Sequence, residues 1–149
     1  MAQRSTLTKT EGAFVRRLRV ARLATADEQG NPTLVPVCYT FDDTCFYTPL
    51  DQKPKSVPGT KLRRVRNIEV RPTVALLIDQ YTDDDWSQLG YVQVHGQAVL
   101  VAPGDERHGR ALTLLRARYE QYRTMELERY PVIMITPQRV TSWGIARGE

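Results

Sequence analysis

The sequence predicts a mainly β protein, a small antiparallel β-barrel with peripheral helices. About seven stretches alternate or run apolar as strands do, and the first three follow one another across short polar turns. Such a meander belongs to an antiparallel sheet rather than a parallel one. Only three stretches carry helical spacing. A sheet of that size closes most economically into a barrel, because closure removes exposed edges.

The elements follow in order. Thr8-Lys9-Thr10-Glu11 has the form of a capping box, and Phe14, Val15 and Leu18 follow at helical spacing, predicting a helix over 8–18. Val20 to Ala26 reads as a strand, and Asp27 to Pro32 as a turn with Gly30 at positive φ. The stretch from Thr33 to Lys55 organises the rest. Leu34, Pro36, Cys38 and Thr40 alternate with Val35, Val37, Tyr39 and Phe41. Asp42-Asp43 breaks the strand tightly, and Thr44 to Thr48 returns. The hairpin ends at Pro49 and delivers Lys53 and Lys55 to one mouth of the sheet. Paired cations over a polar, proline-containing loop suit a phosphate.

Beyond the irregular Ser56-Val57-Pro58-Gly59, Thr60 caps a helix over 61–69, with Leu62, Val65 and Ile68 inward and the arginines outward. Arg71-Pro72 ends it. Residues 73–79 are almost continuously apolar and predict a central strand. A polar loop over 81–86 ends in Trp86. Residues 90–101 form a long strand interrupted by Gly96, which suggests a bulge or a barrel corner. From Asp105 to Tyr122 the pattern is helical, with Ala111, Leu112, Leu115, Tyr119 and Tyr122 inward. Two final strands, 132–136 and 139–145, are divided by Pro137.

A chain of 149 residues with 41% hydrophobic and 26% charged residues predicts one soluble domain with one core. It has no apolar run of about 18 residues. No apolar segment of signal-peptide type follows the first arginine, so the expected compartment is the cytoplasm. Two cysteines fit that compartment. A turn on Asp42-Asp43 sets residue 38 opposite 47 and residue 40 opposite 45. Cys38 and Cys45 are then diagonal neighbours about 7–8 Å apart, too far to bridge. They read as reduced, mostly buried thiols without zinc spacing.

The net charge of +4 is concentrated. Lys53, Lys55, Lys61, Arg63, Arg64, Arg66 and Arg71 face the lone Glu69 within one stretch, which points to an anionic partner. As a nucleic-acid surface this run lacks aromatics to stack on bases. As a phosphate site it needs only Lys53, Lys55, Lys61 and the hydroxyls of Ser56 and Thr60, and this reading is favoured. His95 reads as a structural strand residue and His108 as solvated on a polar helix face. Asp83-Asp84-Asp85 reads as a solvated loop capping the Trp86 segment rather than a metal site. Trp86 and Trp143 are packing residues by default, with stacking on a ring system the minority option. No nucleophilic triad is visible, so chemistry here belongs to a cofactor.

The series VARLAT, DEQGNPTLVPVCYTF, FYTPLDQKPK, LRRVRNIEVRPTVALLID and DDDWSQLGYVQVHGQA resembles the pyridoxamine 5'-phosphate oxidase-like split-barrel superfamily. The nearest likeness is to its small oxidoreductases that use the deazaflavin F420, and it covers about residues 18–101. The resemblance implies a six-stranded split barrel and a homodimer with cofactor sites at the subunit interface. It implies that Lys53 and Lys55 hold the cofactor phosphate, with Ser56, Thr60 or Lys61 completing the site. It places the ring against Val35, Pro36 and Val37 on one strand and Thr48, Pro49 and Leu50 on the other, with Trp86 nearby, presented from or across the partner subunit. The implied activity is hydride transfer between F420, or alternatively FMN, and a small organic acceptor, with no single catalytic side chain. A non-catalytic cofactor carrier on the same barrel is the alternative, and a nucleic-acid-binding barrel the less favoured one.

Overall fold

Residues 4–51 and 62–148 are described by the computed structural model of the chain. Helix α1 (Lys9–Arg17) opens on the expected capping box: Glu11 N–H donates to Thr8 Oγ1 at 3.1 Å and Thr8 N–H to Glu11 Oε1 at 2.8 Å. Strands β1 (Ala21–Ala26) and β2 (Pro32–Val37) then pair around a turn in which Gly30 takes φ 86°. The remaining strands are β3 (Thr40–Phe41), β4 (Phe46–Pro49), β5 (Thr73–Gln80), β6 (Gly90–Val101) and β7 (Val132–Gly144). All belong to one antiparallel sheet of seven strands in the order β2-β1-β5-β6-β7-β4-β3.

That order forces the sheet to curl. β2 and β3 are its two edges, yet only Cys38 and Tyr39 separate them. Three residue steps reach at most about 11 Å, whereas seven flat strands would set the edges about 29 Å apart. The sheet therefore closes on itself and leaves a gap where β2 passes into β3. This is a split barrel with seven strands, the number the sequence pattern suggests and one more than the six the resemblance implies. The count holds although the segments differ: predicted strand 33–41 breaks at residues 38 and 39 and pairs at both ends of the sheet, while the two predicted C-terminal strands are one.

Two other expectations need correction. Thr40 pairs with Tyr47 and Phe41 with Phe46, so the turn centres on Asp43-Thr44 and not on Asp42-Asp43. The Asp42 carboxylate sets this by accepting from Thr44 N–H at 3.0 Å and Cys45 N–H at 2.7 Å, and Asp43 takes φ 80°. The two final strands are one. β7 runs through Pro137, which faces Gly96 at the bulge where the β6–β7 register shifts. The missing proline N–H falls where the ladder is already interrupted. Gly96 is required there, since a Cβ would stand 2.5 Å from the Thr136 carbonyl oxygen.

Helix α2 (Arg63–Val70) buries Val65, Asn67 and Ile68. Asn67 Nδ2 donates to Thr25 Oγ1 at 3.0 Å and fixes the helix to β1. Arg63 and Arg66 point outward as expected, but Arg64 is half-buried. Helix α3 (Glu106–Arg118) is capped by Asp105 and followed by a short 3-10 turn, Glu120–Arg123. His108, expected in solvent, is 3% exposed and sits 2.8 Å from the Tyr130 carbonyl oxygen. It occupies the position before Ala111, Leu112 and Leu115 on the inner stripe, so helical period carries it inward.

Two apolar clusters result. The larger fills the barrel with Leu23, Phe46, Leu76, Ile78, Val92 and Ile133, among others. The smaller lies outside β4, where Tyr47 and Val132 meet Leu112, Leu115 and Tyr122 of the α3 segment. No helix among the described residues is long and apolar enough to cross a membrane.

Candidate functional site

The gap in the barrel is bounded by β2, which holds Val35, Pro36 and Val37, and by the end of β4 with Leu50 beyond it. β3 covers β4 only at Thr40–Tyr47 and Phe41–Phe46. Past Tyr47, the segment Thr48-Pro49-Leu50 has a strand partner on the β7 side alone, through Thr48–Ile133 and Pro49–Val132. Among the described residues β2 likewise pairs only with β1. Continuing the β3–β4 register would set Val37 opposite Leu50, and Val35, Val37 and Leu50 pack into the same core cluster. Among the described residues these two strand edges carry no ladder partner toward each other, and the interval between them, with backbone N–H and C=O groups along each side, is the candidate slot.

Helix α3 holds the slot open. Where β4 would continue the ladder, Tyr39 N–H donates instead to the Tyr119 hydroxyl at 3.1 Å. The Tyr39 carbonyl accepts from Arg118 Nε at 2.9 Å and faces the Tyr119 hydroxyl at 3.0 Å. The Tyr39 hydroxyl donates to the Val15 carbonyl at 2.5 Å, and burial pushes its pKa above the ordinary value. Arg118 also donates to the carbonyls of Arg16 (2.5 Å) and Leu18, so one guanidinium caps the end of α1 and fixes the crossover. Sequence reading placed Tyr119 inward but gave Arg118 no role.

At the Leu50 end, Tyr122 donates its hydroxyl to Asp51 Oδ2 at 2.8 Å. Burial, with the neighbouring Cys38 and Asp51, pushes the Tyr122 phenol well above its usual range. Arg64 stands by the same pair: burial lowers its pKa, opposed by Asp51 and Tyr122. Two buried polar atoms here lack a protein partner among the described residues, Thr48 Oγ1 and Arg64 Nε. An unsatisfied buried group costs about 1–3 kcal/mol, which a ligand can recover. Arg64 was expected on the outer face. The signal that could have found it was its place in the first turn of the helix that follows the lysine loop.

The expected phosphate residues Lys53, Lys55, Ser56, Thr60 and Lys61 lie outside the described residues. Asp51 and Arg64 stand near either end of that segment and are brought close to one another. Trp86 opens a 3-10 turn (Trp86–Gln88) capped by the Asp85 carboxylate, as the sequence suggested. Its indole is 68% exposed on the β5–β6 connection, with β1 lying between β5 and β2. Within one chain it therefore stands apart from the slot. Trp143 stacks on Tyr91 with ring centroids 6.1 Å apart. Cys38 and Cys45 are both free thiols, the second buried. His95 lies on the outer face of β6, with Arg139 Nη2 3.3 Å from its Nδ1.

Comparison with known proteins agrees with this geometry. A family profile described as pyridoxamine 5'-phosphate oxidase matches residues 7–144. Among solved structures, a conserved hypothetical protein of Mycobacterium tuberculosis is 21% identical, with 100% of this chain and 94% of that one covered at a TM-score of 0.75. The haem storage protein HutZ of Vibrio cholerae is 16% identical, covering 93% and 94% of the two chains at a TM-score of 0.68. A FAD-binding protein of Mesorhizobium loti is 22% identical, covering 95% and 96% at a TM-score of 0.63. These likenesses are of fold. No curated protein matches the chain.

Proposed function

Since the chain belongs to the pyridoxamine 5'-phosphate oxidase family, we propose that it is an oxidoreductase moving a hydride between a flavin-type cofactor and a small organic acceptor. F420 is the favoured cofactor and FMN the alternative. The observation that carries this reading is the slot itself, two strand edges left unpaired beside a buried, unpartnered Thr48 hydroxyl. A flat, polar-edged ring suits such a slot, because backbone amides can meet its heteroatoms without moving. Among the cofactor's neighbours would be Val35, Pro36 and Val37 on one side and Thr48, Pro49 and Leu50 on the other. Lys53 and Lys55 would hold the phosphate, with Ser56 or Lys61 beside them and Arg64 behind.

The bound cofactor supplies the hydride chemistry. The chain supplies orientation, exclusion of water by the apolar walls, and fixed donors for charge that develops on the ring. No side chain is assigned a proton transfer.

The functional unit in this reading is a homodimer, in which Trp86 reaches the partner's slot. The outer face of the sheet supports it. Direct cross-strand neighbours place Leu34, Ala24, Ala75, His95 and Arg139 in one row and Pro36, Arg22, Leu77, Gln93 and Thr141 in the next. Leu34 is 67% exposed, and Ala24, Ala75 and Leu77 are only partly covered, an apolar surface that a second copy can bury.

Fluorescence titration of the purified protein with F420 and, separately, FMN tests the proposal. Micromolar binding of F420 with weak FMN binding is the expected result, and the reverse preference would transfer the assignment to FMN. Lys55→Ala should weaken binding by about 1.5–3 kcal/mol, the size of a charge-assisted hydrogen bond. Binding of neither cofactor would end the flavin-type reading.

A further inference from the structure

A concavity lies beside the crossover that Arg118 and Tyr119 fix. It is a cleft of about 790 Å³, and its lining includes Arg19, Cys38, Tyr119, Tyr122, Arg123 and Met125. The volume falls in the range of small-molecule sites. Tyr119, its ring 5.3 Å from that of the buried Tyr122, makes an apolar, aromatic lining together with Met125. Arg19, Arg118 and Arg123 bring three guanidinium groups to it against the single carboxylate of Glu120.

Those guanidiniums are not equivalent. Arg118 spends its donors on the carbonyls of Tyr39, Arg16, Val15 and Leu18. Arg19 gives one N–H to the Arg118 carbonyl and lies 5.7 Å from the Tyr119 ring centre. Arg123 gives its Nε–H to the Arg116 carbonyl at 3.0 Å. Among the described residues, the other N–H groups of Arg19 and Arg123 have no acceptor, and both side chains are exposed at the rim. Two partly free guanidiniums above an aromatic lining define a ligand with one negative end and one flat apolar end. Glu120 on the same rim disfavours a second negative charge.

We infer that this cleft binds an aromatic carboxylate, its ring system against Tyr119 and Met125 and its carboxylate at Arg19 and Arg123. The cleft adjoins the cofactor slot, since Cys38 of its lining immediately follows Val37 and Tyr122 bonds Asp51 at the Leu50 end, and binding without cofactor tests it separately.

The test uses the full chain labelled with [methyl-13C]methionine and titrated with 2-naphthoate in the absence of any cofactor. Met125 lines the cleft, while Met134 packs in the neighbouring cluster and serves as internal control. The Met125 methyl resonance should shift and saturate, with Met134 moving less. The neutral isostere 2-naphthamide should bind at least tenfold more weakly, and the Arg19→Gln, Arg123→Gln double variant should weaken 2-naphthoate at least tenfold. Both replaced residues are exposed, so the fold is retained. A Met125 resonance that stays put at millimolar 2-naphthoate overturns the assignment. So does equal binding of the amide, or unchanged affinity in the variant. Because no cofactor is present, these outcomes stand apart from those of the F420 and FMN titrations.

Discussion

β4 and β2 frame the same slot and could hardly be built more differently. Every residue of β4 is buried, with Phe46 in the barrel core and Tyr47 under α3. In β2 only Val37 is buried, and Leu34 and Pro36 stand in the open. The outer face of β4, β3 and the first part of β7 is covered by α3 and the turn after it. Among the described residues, the outer face of β2-β1-β5-β6 and of β7 from Arg139 onward has no such cover. The slot lies where the covered half meets the bare one, so one wall is rigid and the other waits on whatever covers that face.

The largest expected effect sets the two walls against each other. Phe46 is fully buried and stacked on Phe41 at 4.6 Å between ring centres. Phe46→Ala should lower unfolding stability by about 3–5 kcal/mol in a urea titration. Leu34→Glu should cost the isolated subunit under about 0.5 kcal/mol and instead halve the mass seen by sedimentation. Equal destabilisation by the two changes would break the contrast between the walls. A wild-type chain that sediments as a monomer would remove the partner.

Next in size is acid sensitivity. Glu11 is 1% exposed beneath the barrel; burial raises its pKa, but Arg4 at 2.6 Å, the Ser142 hydroxyl and the Thr8 N–H outweigh this and hold it at about 2 against an ordinary 4.5. A depressed folded-state pKa stabilises above the unfolded value and is lost below it. Stability should therefore fall by about 3 kcal/mol between pH 4.5 and pH 2. Glu11→Gln should flatten that dependence, measured as thermal midpoint against pH.

Smaller again is the strut at the crossover. Tyr119→Phe removes the hydroxyl that meets Tyr39 N–H and C=O. It should cost about 1–2 kcal/mol and speed hydrogen exchange at the Tyr39 amide while leaving β5 amides protected. The smallest effect sharpens the rigid wall. Thr48→Val removes an unpartnered buried hydroxyl, so stability should hold or rise by up to about 1 kcal/mol while cofactor affinity falls about tenfold. Unchanged affinity would take the Thr48 hydroxyl out of the slot.

Local signals carried much of this architecture. The Thr8–Glu11 box, the Gly96 bulge, the central strand at 73–80 and the inner stripe of α3 were all legible, because each is decided by neighbours in sequence. What failed was decided from afar. Nothing local says that the ladder breaks at Tyr39, because its replacement partners lie 79 and 80 residues away at Arg118 and Tyr119. Pro137 looks like a strand end until Gly96 is known to face it. The wall segments of the proposed slot come from the family resemblance and from no local pattern, and the polar group of Asp51, Arg64 and Tyr122 needed three distant elements to meet. The hairpin register was missed for a subtler reason: Asp42 can serve as turn residue or turn cap, and only the latter fits the pairing that follows.

The direct passage from β2 to β3 also governs how the sheet can go wrong. In an open sheet an edge strand may slide by two residues along its neighbour and still keep its apolar side inward. Here the two edges are one length of chain, like a belt run over two wheels. Any slide of β2 against β1 drags β3 against β4 by the same distance, and Arg118 and Tyr119 grip the belt at Tyr39 between them. A misalignment at one edge must be matched at the other, so the last strand to dock proofreads the first.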